Sequence, residues 1–198
     1  MTAKDNEIVG STKALSHAFG PGRVNLIPAD LFYNVDACMR METEEHGMLV
    51  ETPVGTVRVA PGCDLSDTNL AGLDFSGMNL TGVNFAGSDL SGADFTQSDL
   101  RGATCSHADF TRADFTHAVL EGVEFEEANL QNAKLQYANL QRADLYDANL
   151  TKADLRYASL HRAILWGANL RKTNLTNCSL EYAILTNANF SGTIFDET

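Results

Sequence analysis

From residue 65 onward, a large apolar residue recurs at every fifth position. The register runs Leu65, Leu70, Phe75, Leu80, Phe85, Leu90, Phe95, Leu100, then Cys105, Phe110, Phe115 and Leu120, and on to Phe190 and Phe195. It holds for 27 consecutive positions without an insertion, and all but Cys105 are Leu or Phe. An amphipathic helix repeats its apolar face near every 3.6 residues and a half-buried strand every two, so a period of five is neither. The position two before each Leu or Phe is also restricted: it is Ala in every repeat from Ala128 to Ala168, and elsewhere Ala, Ser, Thr, Val, Cys, Met or Leu. The residue between them is usually Asp or Asn. Each unit therefore reads small-in, polar-out, large-in, followed by two variable residues. The three-residue alternation is strand-like. The pair that follows is often a turn former, as in "SG" at 76–77 and 91–92, "TG" at 81–82 and "TN" at 176–177. A short strand and a corner, repeated at fixed period, predict a solenoid in which each unit buries its apolar face only against its neighbours.

Tandem A(D/N)LXX units of this kind resemble the pentapeptide repeat family, with the resemblance covering residues 61–198. The resemblance implies an all-β fold, a right-handed quadrilateral β-helix with four units per coil and about seven coils. At ~4.8 Å per coil the rod is on the order of 30–35 Å long, with Leu and Phe stacked along its axis. Family members that protect DNA gyrase from quinolones act as DNA mimics and usually carry a dimerising C-terminal helix. Here the sequence ends at "SGTIFDET" with the repeat still running, which leaves an apolar end at Ile194 and Phe195. Self-association through this C-terminal coil is one expectation.

Residues 1–60 lack the repeat. "DLFYNVDACMRM" places Leu31, Val35 and Met39 at helical spacing, with Asp30 positioned as an N-cap. "HGMLVETPVGTVRV" reads as two short strands around a turn at Thr52–Gly55. A solenoid needs its terminal core covered, so a small α+β N-terminal cap on the first coil is the expected role of this segment.

Composition narrows the function. An apolar content of 44% supports a packed core, while a net charge of −12 argues against direct nucleic-acid binding, which needs clustered Lys and Arg. No run approaches the ~20 apolar residues of a membrane span, and the start has no continuous apolar signal region. The four cysteines, Cys38, Cys63, Cys105 and Cys178, form no CxxC pair; reduced thiols in a cytoplasmic protein are the expectation.

Four units per coil, as the resemblance implies, stacks residues 20 apart. Asp94 and Asp114 share such a column, but Asp or Asn recurs there along the whole rod, as a structural ladder does. His107, His117 and His161 fall on three different faces and cannot share a metal. No P-loop, GxGxxG, GxSxG or HExxH motif is present. Neither an enzyme nor a cofactor is expected.

Two surface features rise above the background. Glu124, Glu126, Glu127, Asp144 and Asp147 share one face, with Glu121 at the adjoining corner. They form either a solvated face or a docking surface that mimics phosphates or receives a basic partner. On the same face Tyr146 and Trp166 stack outward, and Ile164 and Ile184 occupy the position that normally holds Asp or Asn. Exposed aromatic and apolar groups of this kind mark interaction sites, although stacking between coils also stabilises a rod. Tyr137 and Tyr157 form a second such stack on the opposite face. Arg142 and Arg162 lie on one face; Lys152, Arg171 and Lys172 lie on another. Two functions fit: a non-catalytic scaffold that presents the acidic and aromatic face to a protein partner, or a DNA mimic acting on gyrase.

Overall fold

The computed structural model describes residues 48–52 and 55–196. The described residues begin with an antiparallel hairpin of β1, Met48–Thr52, and β2, Gly55–Val59. Its register closes at Thr52↔Gly55, where the sequence places the turn. The helix expected around Leu31–Met39 lies outside the described residues. Val59 and Ala60 already belong to the buried core, so β2 leads directly into the solenoid.

From residue 60 the backbone repeats one motif. The central residue of each pentapeptide makes a single parallel bridge to the residue 20 further on, from Asp64↔Asn84 to Asn174↔Ile194. One turn of the coil thus contains four pentapeptides, and five residues form one side of a square. Each side bonds to both neighbouring turns: Leu145 N–H donates to Ile164 O in the next turn (2.7 Å), and Asp144 N–H donates to Val123 O in the preceding one (2.9 Å). At the corners the amide of the small inward residue reaches back three positions, as Ala148 N–H does to Leu145 O (3.1 Å); at Thr68 it donates instead to the Ser88 hydroxyl (3.1 Å). The second corner residue has positive φ, the signature of a type II turn, which favours glycine or asparagine. Gly167 takes this conformation at 70°, yet so do Tyr137 and Tyr157 at 60° and 61°. A left-handed non-glycine residue costs roughly 1–2 kcal/mol. The backbone ladder holds it there, since the Tyr137 amide donates to Arg156 O in the next turn (3.1 Å).

The outward Asp or Asn has a local task. Its Oδ1 accepts the amide two residues on, at the corner, as in Ser76→Asp74 (2.9 Å), Tyr146→Asp144 (3.0 Å) and Thr151→Asn149 (3.2 Å). This explains why the sequence restricts a solvent-facing position.

Inside, Phe75, Phe95 and Phe115 stack in one column at 4.9 Å with rings within 8° of parallel. Phe85, Phe110 and Phe125 meet them edge-on or tilted. Such pairs add to area burial. The buried hydroxyls Thr68, Ser88, Ser98 and Thr173 each donate to a backbone carbonyl, so the small column is polar without being unsatisfied. In the last described turn Leu180, Leu185 and Phe190 are only partly buried, and Ile194 and Phe195 are about half exposed.

The cysteines correct one expectation. Cys105 and Cys178 are free, and burial pushes both thiols up, Cys178 to about 12. Cys63, expected to be a reduced core thiol, is instead disulfide-bonded. Cys105 is enclosed by turns on both sides. Cys63 sits in the first turn of the ladder and is also buried.

Candidate functional site

The face built by residues 123–127, 143–147, 163–167 and 183–187 carries all but one of the candidate residues. Three outward columns run along it. The ladder column is Thr104, Glu124, Asp144, Ile164 and Ile184, joined by successive bridges. The first corner column is Glu126, Tyr146, Trp166 and Thr186, and the second is Glu127, Asp147, Gly167 and Asn187. Glu124, Glu126, Glu127 and Asp147 are exposed; Asp144, Tyr146, Ile164 and Trp166 are half-buried.

Tyr146 and Trp166 stack with ring centres 4.9 Å apart and planes within 6°. Partial burial, with Asp147 and Glu126 nearby, raises the Tyr146 phenol above its usual range. In the neighbouring ladder column Ile164 lies in the turn of Trp166 and Ile184, 48% exposed, in the turn beyond. Neither isoleucine can accept a corner amide. Among the described residues Trp166 N–H and Thr186 N–H have no protein acceptor, while the Tyr146 amide one turn earlier has one. The corner amides of Ser106, Glu121, Glu126, Gln136, His161 and Glu181 also follow a ladder residue that is neither Asp nor Asn and have no acceptor among the described residues. What sets 164 and 184 apart is a pair of isoleucines in successive turns of one outward column. A departure of this kind from a local rule is expected at functional positions.

The carboxylates divide into compensated and uncompensated groups. Glu121 pairs with Arg142 at the adjoining corner (3.8 Å), which draws it away from the others. Glu127 meets His107 at 3.5 Å, and Glu124 accepts the Thr104 hydroxyl at 3.1 Å. Glu126, Asp144 and Asp147 make no ion pair among the described residues. Asp147 turns towards the next turn. Its Oδ1 occupies the space that a Cβ on Gly167 would need.

The opposite corner holds a longer stack than the two tyrosines read from the sequence. His117 lies on Tyr137 at 4.8 Å, and Tyr137 on Tyr157 at 4.9 Å. His117 is 20 residues before Tyr137, so the column spacing already contained it. The three described histidines occupy three faces, as expected: His107 is with Glu127, His117 in this stack and His161 3.7 Å from Glu181. Arg162 sits over Tyr182 at 5.9 Å.

Asp114 shows how a carboxylate of the ladder is compensated. Burial alone would raise its carboxyl, but the Lys134 ammonium at 2.8 Å and the Thr116 hydroxyl hold it below the usual range. Arg101 does the same for Asp99; at Asp154 burial opposes the shift and Arg156 outweighs it. A carboxyl whose pKa is lower in the folded state stabilises the fold above its unfolded value of ~3.9 and loses that contribution as pH falls through the folded value. Urea midpoints should thus be flat from neutrality to about pH 5 and fall below about pH 4. Lys134→Met should shrink that fall. An equal fall in the variant would remove Asp114 as a source.

The sequence matches the family model for pentapeptide repeats, in eight copies, over residues 62–97, 88–126, 128–167 and 153–192. The chain belongs to the pentapeptide repeat family. Its parallel coil is accordingly a right-handed β-helix. A pentapeptide repeat protein from the Arabidopsis thaliana thylakoid lumen is 35% identical, over 51% of this chain and 67% of that one, with a TM-score of 0.39. HetL, a pentapeptide repeat protein involved in heterocyst differentiation regulation in the cyanobacterium Nostoc, is 29% identical over 67% and 76%, with a TM-score of 0.24. QnrB1, a plasmid-mediated fluoroquinolone resistance protein, is 20% identical over 69% and 86%, with a TM-score of 0.43. No curated protein matches the chain.

Proposed function

We propose that this pentapeptide repeat protein is a non-catalytic scaffold: a rigid rod of about seven coils, capped by residues 1–60, that presents one face to a protein partner. The observation that carries the proposal is the Tyr146–Trp166 stack, with Ile164 in the turn of Trp166 and Ile184 in the turn beyond taking the outward position that usually holds Asp or Asn. Aromatic and apolar side chains clustered on a polar surface are the usual anchors of interfaces. The uncompensated carboxylates beside them favour a partner with basic groups.

A photo-cross-linking residue at position 186, compared with one at position 137 on the far corner, tests the proposal in the host cell. Cross-links from 186 that disappear with Trp166→Ala support it. Equal yields from both corners would sink it.

The acidic rows at 124–127 and 144–147 favour a second reading, mimicry of DNA towards gyrase. Supercoiling by gyrase should then be inhibited by the protein, or protected from a quinolone, and Glu124→Lys, Glu126→Lys, Glu127→Lys together should abolish the effect. No effect of the native protein would remove this reading.

A further inference from the structure

The face is graded along the axis, not across it. Its first row has Glu124, Glu126 and Glu127, and its second has Asp144, Tyr146 and Asp147. The third has Ile164, Trp166 and Gly167, and the fourth Ile184, Thr186 and Asn187. Three carboxylates become two and then none, and the apolar side chains begin where the carboxylates stop. Adjacent turns are ~4.8 Å apart, so the four rows span on the order of 14 Å. An extended chain rises ~3.3 Å per residue and shows alternate side chains to one side, so three side chains of a five-residue segment cover that length. A segment laid across the face would meet a single row and could not use the gradient.

We infer that the face reads one extended segment of a partner protein, laid along the helix axis, whose alternate residues are basic, basic and large apolar. This deepens the interaction-scaffold proposal and rests on it. The two basic side chains face the first and second rows, where Glu126, Asp144 and Asp147 have no cationic partner among the described residues. The apolar one seats on Ile164, Ile184 and the indole. Gly167 sets the junction between the halves. Because it has no Cβ, the Asp147 carboxylate lies over it beside Trp166. A cation drawn to Asp147 therefore meets the ring as well. Tyr146 covers one side of the indole, and the row beyond holds only Thr186 in that column.

Trp166 is the single tryptophan of the chain, so its emission reports on this site directly. The probes are three synthetic peptides: Ser-Arg-Ser-Arg-Ser-Leu-Ser, its reverse Ser-Leu-Ser-Arg-Ser-Arg-Ser, and the reordered Ser-Arg-Ser-Leu-Ser-Arg-Ser, which has the same composition. One of the first two should give a saturable change in emission at least about tenfold tighter than the reordered peptide, a difference of ~1.4 kcal/mol. Asp144→Asn with Asp147→Asn should weaken it by a similar factor, as should raised salt. Equal affinities for all three orders, or no saturation by about 1 mM, would overturn the inference. Cross-linking from position 186 separates the two levels. If it succeeds while the peptides fail, the face binds a partner but does not read this segment; if both fail, the scaffold proposal falls too.

Discussion

Phe95→Ala is expected to destabilise the rod by about 3–5 kcal/mol, the largest effect of any single substitution considered. Phe95 is fully buried and stacks between Phe75 and Phe115 at 4.9 Å on each side, while Phe85 and Phe110 abut it at 5.9 Å. Deletion leaves a cavity that cannot collapse easily, because the walls are backbone turns tied to one another by the 20-residue hydrogen-bond ladder. In a solenoid each turn is stabilised mainly by its neighbours, so the loss falls on the coupling between the turns above and below. Urea denaturation followed by circular dichroism should show a lower midpoint and, if the two halves uncouple, a broader transition. Phe195→Ala is the matched control, since Phe195 is 49% exposed and should cost no more than about 1 kcal/mol. A loss below 1 kcal/mol at Phe95 would show that the interior repacks freely, against the close-packed stack.

Most of the fold is legible in the sequence because the constraint repeats. Each Leu or Phe faces the same axis and each Ala meets the same narrow space, so the register from Leu65 to Phe190 reports the core residue by residue. The number of sides is not legible in this way. A period of five looks the same for a coil with three, four or five sides, and four came from the family resemblance until the bridges at 20 residues fixed it. The hairpin was readable because its strands alternate around Thr52–Gly55. The disulfide at Cys63 was not, because spacing among four dispersed cysteines carries no pairing.

At the site, columns 20 apart were readable and contacts between columns were not. Tyr146 over Trp166 follows from the repeat once the coil has four sides, and so does His117 over Tyr137. Glu121 reaching Arg142 joins two corner columns 21 apart, and its side chain leaves the acidic group with which the sequence placed it. The position of Asp147 over Gly167 depends on a rotamer and a missing Cβ, neither of which is a matter of register. The Asp and Asn column reads as a structural ladder from the sequence; its corner hydrogen bonds show that what it fixes is the backbone. At Ile164 and Ile184, which the sequence already sets apart, two apolar side chains take that acceptor's place in successive turns.

Ile164→Asn with Ile184→Asn should separate function from folding. Each asparagine restores an Oδ1 acceptor for the corner amide at Trp166 or Thr186, worth about 0.5–1.5 kcal/mol per hydrogen bond. The new side chains would also continue an amide ladder of the kind on the neighbouring face, where Asn149 Nδ2 donates to Asn129 Oδ1 at 3.0 Å. The loss of a half-exposed isoleucine acts in the opposite direction and is of similar size. Stability should therefore stay within about 1 kcal/mol of the native protein, or rise. Binding should behave differently. The isoleucines supply the apolar floor beside the indole, and removing such an anchor commonly costs about 2 kcal/mol or more, roughly 30-fold in affinity. The measurement is a urea midpoint for each protein beside cross-linking yield from position 186 and peptide affinity from Trp166 emission. An unchanged midpoint with binding lost would assign the two isoleucines to the partner. A lowered midpoint with binding retained would assign them to the rod, with the Tyr146–Trp166 stack serving as one more ladder between turns.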